Sequence, residues 1–267
     1  MSSRTRRLGA LLAISVLLAT TPIAGAATLR AFCGDLLNAY GPFDYRKGHS
    51  EHKQQLQLVE AGHFNEDVEA GIKGLSTYIS GDLDYTLRAF PNHARALATV
   101  SRLALRDKAV VLARGTRPVE CYFDRAERFA PDDPAVYALY GSYLYGRNKD
   151  DDRKKAIDKF LTALSFDPGN SSIHYNAGLA LFTGGRVREA NQHAQMAYAL
   201  GFPLPGLKNM LIKAGAWDPD APPLPQVPSR RVDATEEDKA EAAPAATPPA
   251  PAEQSDTPPA QPPATPA

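Results

Sequence analysis

The sequence predicts an all-α protein: an α-solenoid of about three helix pairs with a helical N-terminal cap, a C-terminal capping helix and a disordered tail. Two observations predict this architecture. A pattern of small and large apolar residues recurs several times over residues 91–203, and a proline lies at or close to the end of each unit. Such a recurrence is typical of repeat proteins, in which each unit buries its apolar face against the next one.

The clearest unit ends at Pro168, and similar spacings occur on both sides of it. Its pattern residues are Tyr137, Tyr140, Gly141, Leu144, Ala156, Phe160 and Ala163. The equivalent residues downstream are His174, Ala177, Gly178, Leu181, Ala190, Ala194 and Ala197. The proline that closes this downstream unit, Pro203, lies one residue later than the repeat spacing predicts. The equivalent residues upstream are Ser101, Val119, Phe123, Ala126 and Pro131. The small residues let two antiparallel helices approach closely, and the large residues fill the gaps between them. Proline ends the second helix because it lacks the next backbone donor.

The units have unequal lengths. Their closing positions are Pro91, Pro131, Pro168 and Phe202. The interval between successive closing positions becomes shorter along the chain, so the earlier units contain extra residues. These extra residues lie between the two helices of a unit, at 108–118 and 146–155. We therefore expect loops at both places, projecting from one edge of the stack.

Residues 1–26 are typical of a secretory signal. Three arginines precede an apolar run over 8–19, and Ala24-Gly25-Ala26 forms a small-x-small cleavage site. An uncleaved anchor is the alternative, but this run is shorter than the roughly 20 residues that span a bilayer. We expect cleavage after Ala26 and a periplasmic or secreted mature protein without a membrane span.

Residues 27–90 are predicted to form a mostly helical N-terminal cap region, with helical segments over 51–60, 65–72 and 83–90. A cap of this kind covers the apolar end that a first repeat otherwise exposes. Residues 91–203 then hold the repeats, and 204–217 form the capping helix. The amino-acid composition changes at residue 218. Most of the 23 prolines of the chain lie at 218–267, and this composition predicts a disordered spacer.

Four histidines lie in or beside the cap region: His49, His52, His63 and His93. A metal site here would need two of them one helical turn apart and a third ligand from nearby. Gly48 argues against a helix at His49, and no second close pair of ligands follows in the sequence. Histidines on a solvated surface are therefore the favoured interpretation, and we predict no metal and no cofactor.

The chain contains two cysteines, Cys33 and Cys121. In an oxidising compartment an even pair favours a disulfide, which would tie the N-terminal segment to the second helix of the first repeat. The alternative is a pair of buried free thiols that pack as small apolar residues.

Over about 91–217 the chain resembles exported tetratricopeptide-repeat (TPR) proteins of proteobacterial type, through the spacing described above. The resemblance implies a right-handed stack of helix pairs that binds protein, with the first helix of each pair lining a concave face. The positions that line this face in the family correspond here to Arg95, Ala98, Arg102, Leu105, Arg106, Ala135, Ala138, Ser142, Tyr145, Gly146, Ser172, Tyr175, Leu179, Phe182 and Thr183. We refer to these fifteen residues as the concave positions.

Charge and aromatic character divide the concave positions into two ends. Arg95, Arg102 and Arg106 are spaced seven and four residues apart, so they share one helical face. At the other end lie the aromatic residues Tyr145, Tyr175 and Phe182. Such a surface suits an extended or helical peptide with a carboxylate near the arginines and an apolar side chain near the aromatics. The alternative is that the arginines only solvate a helix and the aromatics belong to the core.

Thirty basic and thirty acidic residues cancel, so the charge balance predicts no nucleic-acid partner. The sequence has no serine-hydrolase elbow, phosphate-binding glycine loop or zinc-protease helix motif. We therefore predict a non-enzymatic scaffold or adaptor that binds a segment of a cell-envelope protein. The alternatives are an envelope enzyme or metal-binding protein with its site within 32–93, and a protein that chiefly self-associates.

Overall fold

The computed structural model describes residues 32–221 and residue 224. Within these residues the chain forms ten α-helices and one short 3-10 helix, with no strand, which confirms the all-α prediction. The predicted signal peptide at 1–26 and nearly all of the predicted tail at 218–267 lie outside the described residues.

The helices follow one another with short connections over most of the chain. After the 3-10 helix Tyr45–Lys47, they are α1 Lys53–His63, α2 Glu66–Ala70, α3 Ile79–Ala89, α4 Ala94–Asp107, α5 Val119–Phe129, α6 Pro134–Gly146, α7 Asp150–Phe166, α8 Ser171–Thr183, α9 Val187–Ala199 and α10 Gly206–Lys213.

Helices that are neighbours in the chain pack on one another: α4 on α5, α6 on α7, and α8 on α9. Helices two places apart also make contact, which joins α4 to α6, α6 to α8, and α8 to α10. In the predicted cap region, α1 packs against α3, and the short α2 between them in sequence packs against α4. One core cluster contains buried residues of α2 to α6, and a second contains buried residues of α6 to α10. Tyr140 of α6 packs against both clusters.

Side chains at the helix starts explain several of the helix boundaries. Asn65 accepts a hydrogen bond from the backbone N–H of Val68 at 3.0 Å, and Asn170 accepts one from Ile173 at 3.2 Å. Asp133 precedes Pro134, the first residue of α6, and accepts from the N–H of Ala135 at 3.0 Å. Each carboxylate or amide oxygen satisfies a backbone donor that has no partner within its helix.

The long connection predicted at 108–118 is present between α4 and α5, but the loop predicted at 146–155 is wrong. The extra residues there lengthen α7, which begins at Asp150. Three consecutive aspartates form its first turn, where negative charge favours a helix. Arg147 also pairs with Asp152 across the short link, at 2.8 Å between Nε and Oδ2.

Small residues at the predicted positions do bring helices close together. A Cβ added to Gly141 of α6 would lie 2.9 Å from two ring carbons of Phe160 in α7, and Phe160 is fully buried. In α8, a Cβ added to Gly178 would clash with the side chain of Leu207 in α10, whereas its distance of 3.4 Å to the carbonyl oxygen of Ala190 in α9 is an ordinary van der Waals contact. Gly141 thus sets the distance between the two helices of its pair, and Gly178 leaves room for α10 next to α8.

Two Gly→Ala substitutions are expected to have opposite effects on stability. Gly141→Ala lowers the free energy of unfolding by about 1 to 2 kcal/mol, since the clash with the buried Phe160 ring outweighs the better helix propensity. Gly62→Ala in α1 raises it by about 0.5 to 1 kcal/mol, because nothing lies within 4 Å of the added Cβ. Urea denaturation of the two variants measures both changes. A stabilising Gly141→Ala would contradict the close packing of α6 and α7.

Candidate functional site

Two of the three predicted arginines already bind a segment of the chain itself. Arg95 forms ion pairs with Glu69 of α2 and with Glu60 of α1, the latter at 3.1 Å, and its guanidinium lies over the ring of Phe64. Arg102 donates to the backbone carbonyls of Glu69 and of Ala70, the latter at 3.2 Å. The structure therefore brings Arg95 and Arg102 together on Glu69, and α2 occupies the place where a bound acidic peptide was expected.

The packing of α2 explains why it holds this position. Val68 of α2 is fully buried, and Phe64 just before it is almost so. Thr99 of α4 also donates its hydroxyl to the carbonyl oxygen of Glu69 at 3.2 Å. Because the arginines bind carbonyls at the C-terminal end of α2, their charge also favours the local helix dipole. Within the described residues α2 is thus a packed part of the fold.

Arg106 differs from the other two arginines. It pairs with its neighbour Asp107, at 2.7 Å between Nε and Oδ1, and both side chains are exposed. It lies at the end of α4 and lines a pocket that no sequence pattern indicated. Arg106 is therefore the predicted arginine that stays open to a ligand.

The three predicted aromatic residues are half-buried and pack against the second core cluster. The ring of Tyr175 stacks on Phe202, with 4.1 Å between ring centroids, so the connection between α9 and α10 covers part of it. Tyr145 lies at the end of α6 and Phe182 at the end of α8. All three thus contribute to packing while keeping part of their surface accessible.

Two of the four histidines in or beside the cap region, His93 and His63, have structural partners, and the interpretation as solvated surface residues is wrong for the buried His93. His93 is completely buried, accepts the N–H of Ala96 through Nδ1 at 3.1 Å and places Nε2 3.1 Å from Glu60. Because Nδ1 accepts, the proton resides on Nε2 and the ring is neutral; burial lowers its pKa accordingly. His63 stacks on Tyr85 and contacts Asp82. In the described part of the chain, no three His, Cys, Asp or Glu residues are grouped as a metal would need.

Cys33 and Cys121 are joined by a disulfide that crosses 88 residues of sequence. Three arginines, which sequence reasoning missed, hold the same N-terminal segment through its backbone carbonyls. Arg117 donates to Cys33 at 3.2 Å, Arg128 donates to Gly34 at 2.9 Å, and Arg125 donates to Asp35. Arg125 is 2% exposed, and burial together with the neighbouring arginines lowers its pKa. The spacing of Cys121, Arg125 and Arg128 on one face of α5 was the available signal.

A pocket of about 300 Å³ lies between the α2–α3 and α4–α5 connections. Leu103, Ile79 and Leu112 supply apolar walls, and Lys73, Arg106 and Arg114 add positive charge. Such a combination of an apolar cavity and a few polar groups is typical of ligand sites. The pocket is built from residues distant in sequence, which explains why no motif indicated it.

No protein-family model and no curated protein sequence matches the chain. Within the described residues, no helix has both the length and the apolar composition that crossing a bilayer requires.

Proposed function

We propose that the protein is an exported TPR-type scaffold or adaptor, non-enzymatic, that binds an extended or helical segment of a cell-envelope protein through its concave positions. In this proposal the helices form an α-solenoid, α1 to α3 form its N-terminal cap and α10 its C-terminal cap. The contacts between neighbouring helices and between alternate helices are those that a stack of helix pairs needs. The close approaches at Gly141 and Gly178 support the same arrangement.

One observation carries the proposal: all fifteen concave positions are exposed or half-buried, although they alternate with fully buried residues on the same helices. In α6, Val136 and Leu144 are buried, while Ser142 between them is exposed. Although several of these side chains also pack against a core cluster, each keeps part of its surface accessible to a partner. The localisation in the envelope rests on the N-terminal sequence and on the disulfide, which oxidising compartments favour.

The binding surface proposed here is narrower than the one predicted from sequence. Since Arg95 and Arg102 hold α2, the partner segment lies along α6 and α8, next to Tyr145 and Phe182. Half-buried aromatics of this kind are common energetic centres of protein interfaces. Charge reversal of Arg95 and Arg102 would disturb the packing of α2 and is therefore a poor test of binding.

Cross-linking in intact cells tests the proposal. A photoreactive residue replaces Ser142, and in a matched control it replaces the exposed Lys155 of α7. We expect position 142, and not 155, to yield a discrete cross-linked protein. The combined substitution Tyr145→Ala and Phe182→Ala should remove that product, while circular dichroism shows that the helices remain. Equal capture from both positions, or capture that survives the aromatic substitutions, would contradict binding at this surface.

A further inference from the structure

We propose that the pocket between the α2–α3 and α4–α5 connections is a second binding site, and that it accepts a peptide carboxylate next to a large apolar side chain. This site lies apart from α6 and α8, so the proposal does not depend on binding at those helices.

The walls of the pocket are apolar and the cavity is small. Leu103 and Leu112 are nearly fully buried beneath it, and Ile79 closes one side. A cavity of about 300 Å³ is at the lower end of the range for ligand sites. It therefore suits one large side chain rather than an extended organic molecule.

Positive charge surrounds this apolar cavity. Lys73, Arg106 and Arg114 line it, and Asp107, whose charge Arg106 neutralises, is the one carboxylate among the described lining residues. Lys73 has a partner in Asp67 at 3.2 Å, but both side chains are exposed, so water screens that pair. The net charge of the rim is positive, which favours an anionic ligand.

Arg114 is the residue that most clearly points to a ligand. Its guanidinium carbon lies 3.8 Å from the centroid of the Tyr78 ring. The flat ring holds the guanidinium at the pocket while leaving its N–H groups able to form the paired hydrogen bonds that a carboxylate accepts.

Hydrogen bonds hold the two connections in place. Ser80 donates its hydroxyl to the carbonyl oxygen of Ala113 at 2.9 Å, which joins the two walls. The buried carboxylate of Asp82 accepts the N–H groups of Leu75 at 2.6 Å and Ser76 at 3.2 Å. Walls fixed by such hydrogen bonds lose less conformational entropy when a ligand binds.

The same connections carry a large share of the exposed apolar side chains. Five of the eleven large exposed apolar residues in the described chain lie there: Ile72, Leu75, Tyr78, Val110 and Val111. Exposed apolar surface of this extent marks interaction sites. A polypeptide fits better than a membrane surface, because the central feature is a cavity between the walls that receives a side chain.

Small probes test the site with the full-length protein. In two-dimensional NMR titrations, we expect N-acetylphenylalanine to shift amide signals of residues 74–80 and 103–114. N-acetylphenylalaninamide keeps the ring and lacks the charge, and acetate keeps the charge and lacks the ring. Each should bind at least about tenfold more weakly, the loss that corresponds to one charge-assisted hydrogen bond or one buried ring. Arg114→Gln should weaken binding of the acid to the same extent, whereas Arg188→Gln on the exposed surface of α9 should leave it unchanged.

Three outcomes would overturn the proposal. The first is the absence of shifts in these residues, and the second is equal affinity for acid and amide. The third is a protein that does not bind N-acetylphenylalanine but binds vesicles of mixed phosphatidylcholine and phosphatidylglycerol in a manner that depends on Arg114. That result would assign the exposed apolar residues around the pocket to a lipid surface. Cross-linking from position 142 does not involve this pocket. A failure of the proposed partner binding at α6 and α8 can therefore be distinguished from a failure of ligand binding in the pocket.

Discussion

Replacing Cys33 and Cys121 together by serine is expected to lower the free energy of unfolding by about 4 kcal/mol. The disulfide closes a loop of 88 residues, and a long loop restricts the unfolded chain more than a short one. The segment it holds is otherwise attached through the arginine contacts to the carbonyls of residues 33–35. Guanidinium denaturation of the oxidised protein and the double variant measures the difference.

Reduction provides the matched control for this expectation. A thiol reductant should bring the unmodified protein to the stability of the double serine variant and should leave that variant unchanged. Thiol titration of the unfolded, unreduced protein should detect no free cysteine. Equal denaturation midpoints of the oxidised protein and the variant would show that the bridge contributes nothing to stability.

Between pH 7.5 and pH 4, titration of His193 is expected to lower the free energy of unfolding of the unmodified protein by about 3 kcal/mol. The variant His193→Asn should not show this decrease. Nε2 of His174 donates to the carbonyl oxygen of Pro168 at 3.0 Å, so its Nδ1 accepts from Nδ1–H of His193, also at 3.0 Å. Both rings are buried in this neutral arrangement. Burial, followed by the neighbouring His174, lowers the pKa of His193 to about 4; Arg186 adds to the shift and Glu189 opposes it.

The free energy of unfolding falls as the pH is lowered, because the pKa of His193 is lowered in the folded protein. The pKa in the folded state lies below the value of 6.5 for an unperturbed histidine, so the unfolded chain binds more protons below pH 6.5. Stability is therefore complete above pH 6.5 and is lost as the pH falls toward 4. Asparagine keeps an N–H donor near the position of Nδ1 and does not titrate in this range.

The measurement is a series of urea denaturations from pH 7.5 to pH 4. The curve of stability against pH should be flatter for His193→Asn than for the unmodified protein. The substitution Gln54→Asn, at an exposed residue of α1 that does not titrate, serves as the control and should leave the curve unchanged. Parallel curves for all three proteins would contradict the neutral buried pair.

The predicted repeat region was largely predictable because its helices depend on local spacing. The small residues at Gly141 and Gly178 and the closing prolines predicted where helices approach and end, and the structure places helices there. The loop predicted at 146–155 was wrong for a local reason as well. Three aspartates next to Arg147 form a favourable helix start, which outweighs the break that the repeat length implied.

The candidate site was less predictable because its contacts join residues far apart in sequence. The spacing of Arg95 and Arg102 correctly placed them on one helix face, but it carried no sign that Glu69, on a separate and earlier helix, would meet them. The pocket next to Arg106 likewise depends on two irregular connections, whose paths are set by single contacts such as the one from Ser80 to Ala113. Periodicity carries no information about such contacts.

The link from Cys33 to Cys121 also has a consequence for how the protein opens. In a stack of helix pairs, the arrangement proposed for this chain, each pair interacts only with its neighbours, so opening can begin at either end and proceed pair by pair. Here a covalent bond fastens the first segment to α5, across α1 to α4. The N-terminal half should therefore exchange its amide hydrogens as one cooperative unit, while α8 to α10 can open alone. We therefore expect opening to begin at α10, next to Tyr175, rather than at the segment that the disulfide holds.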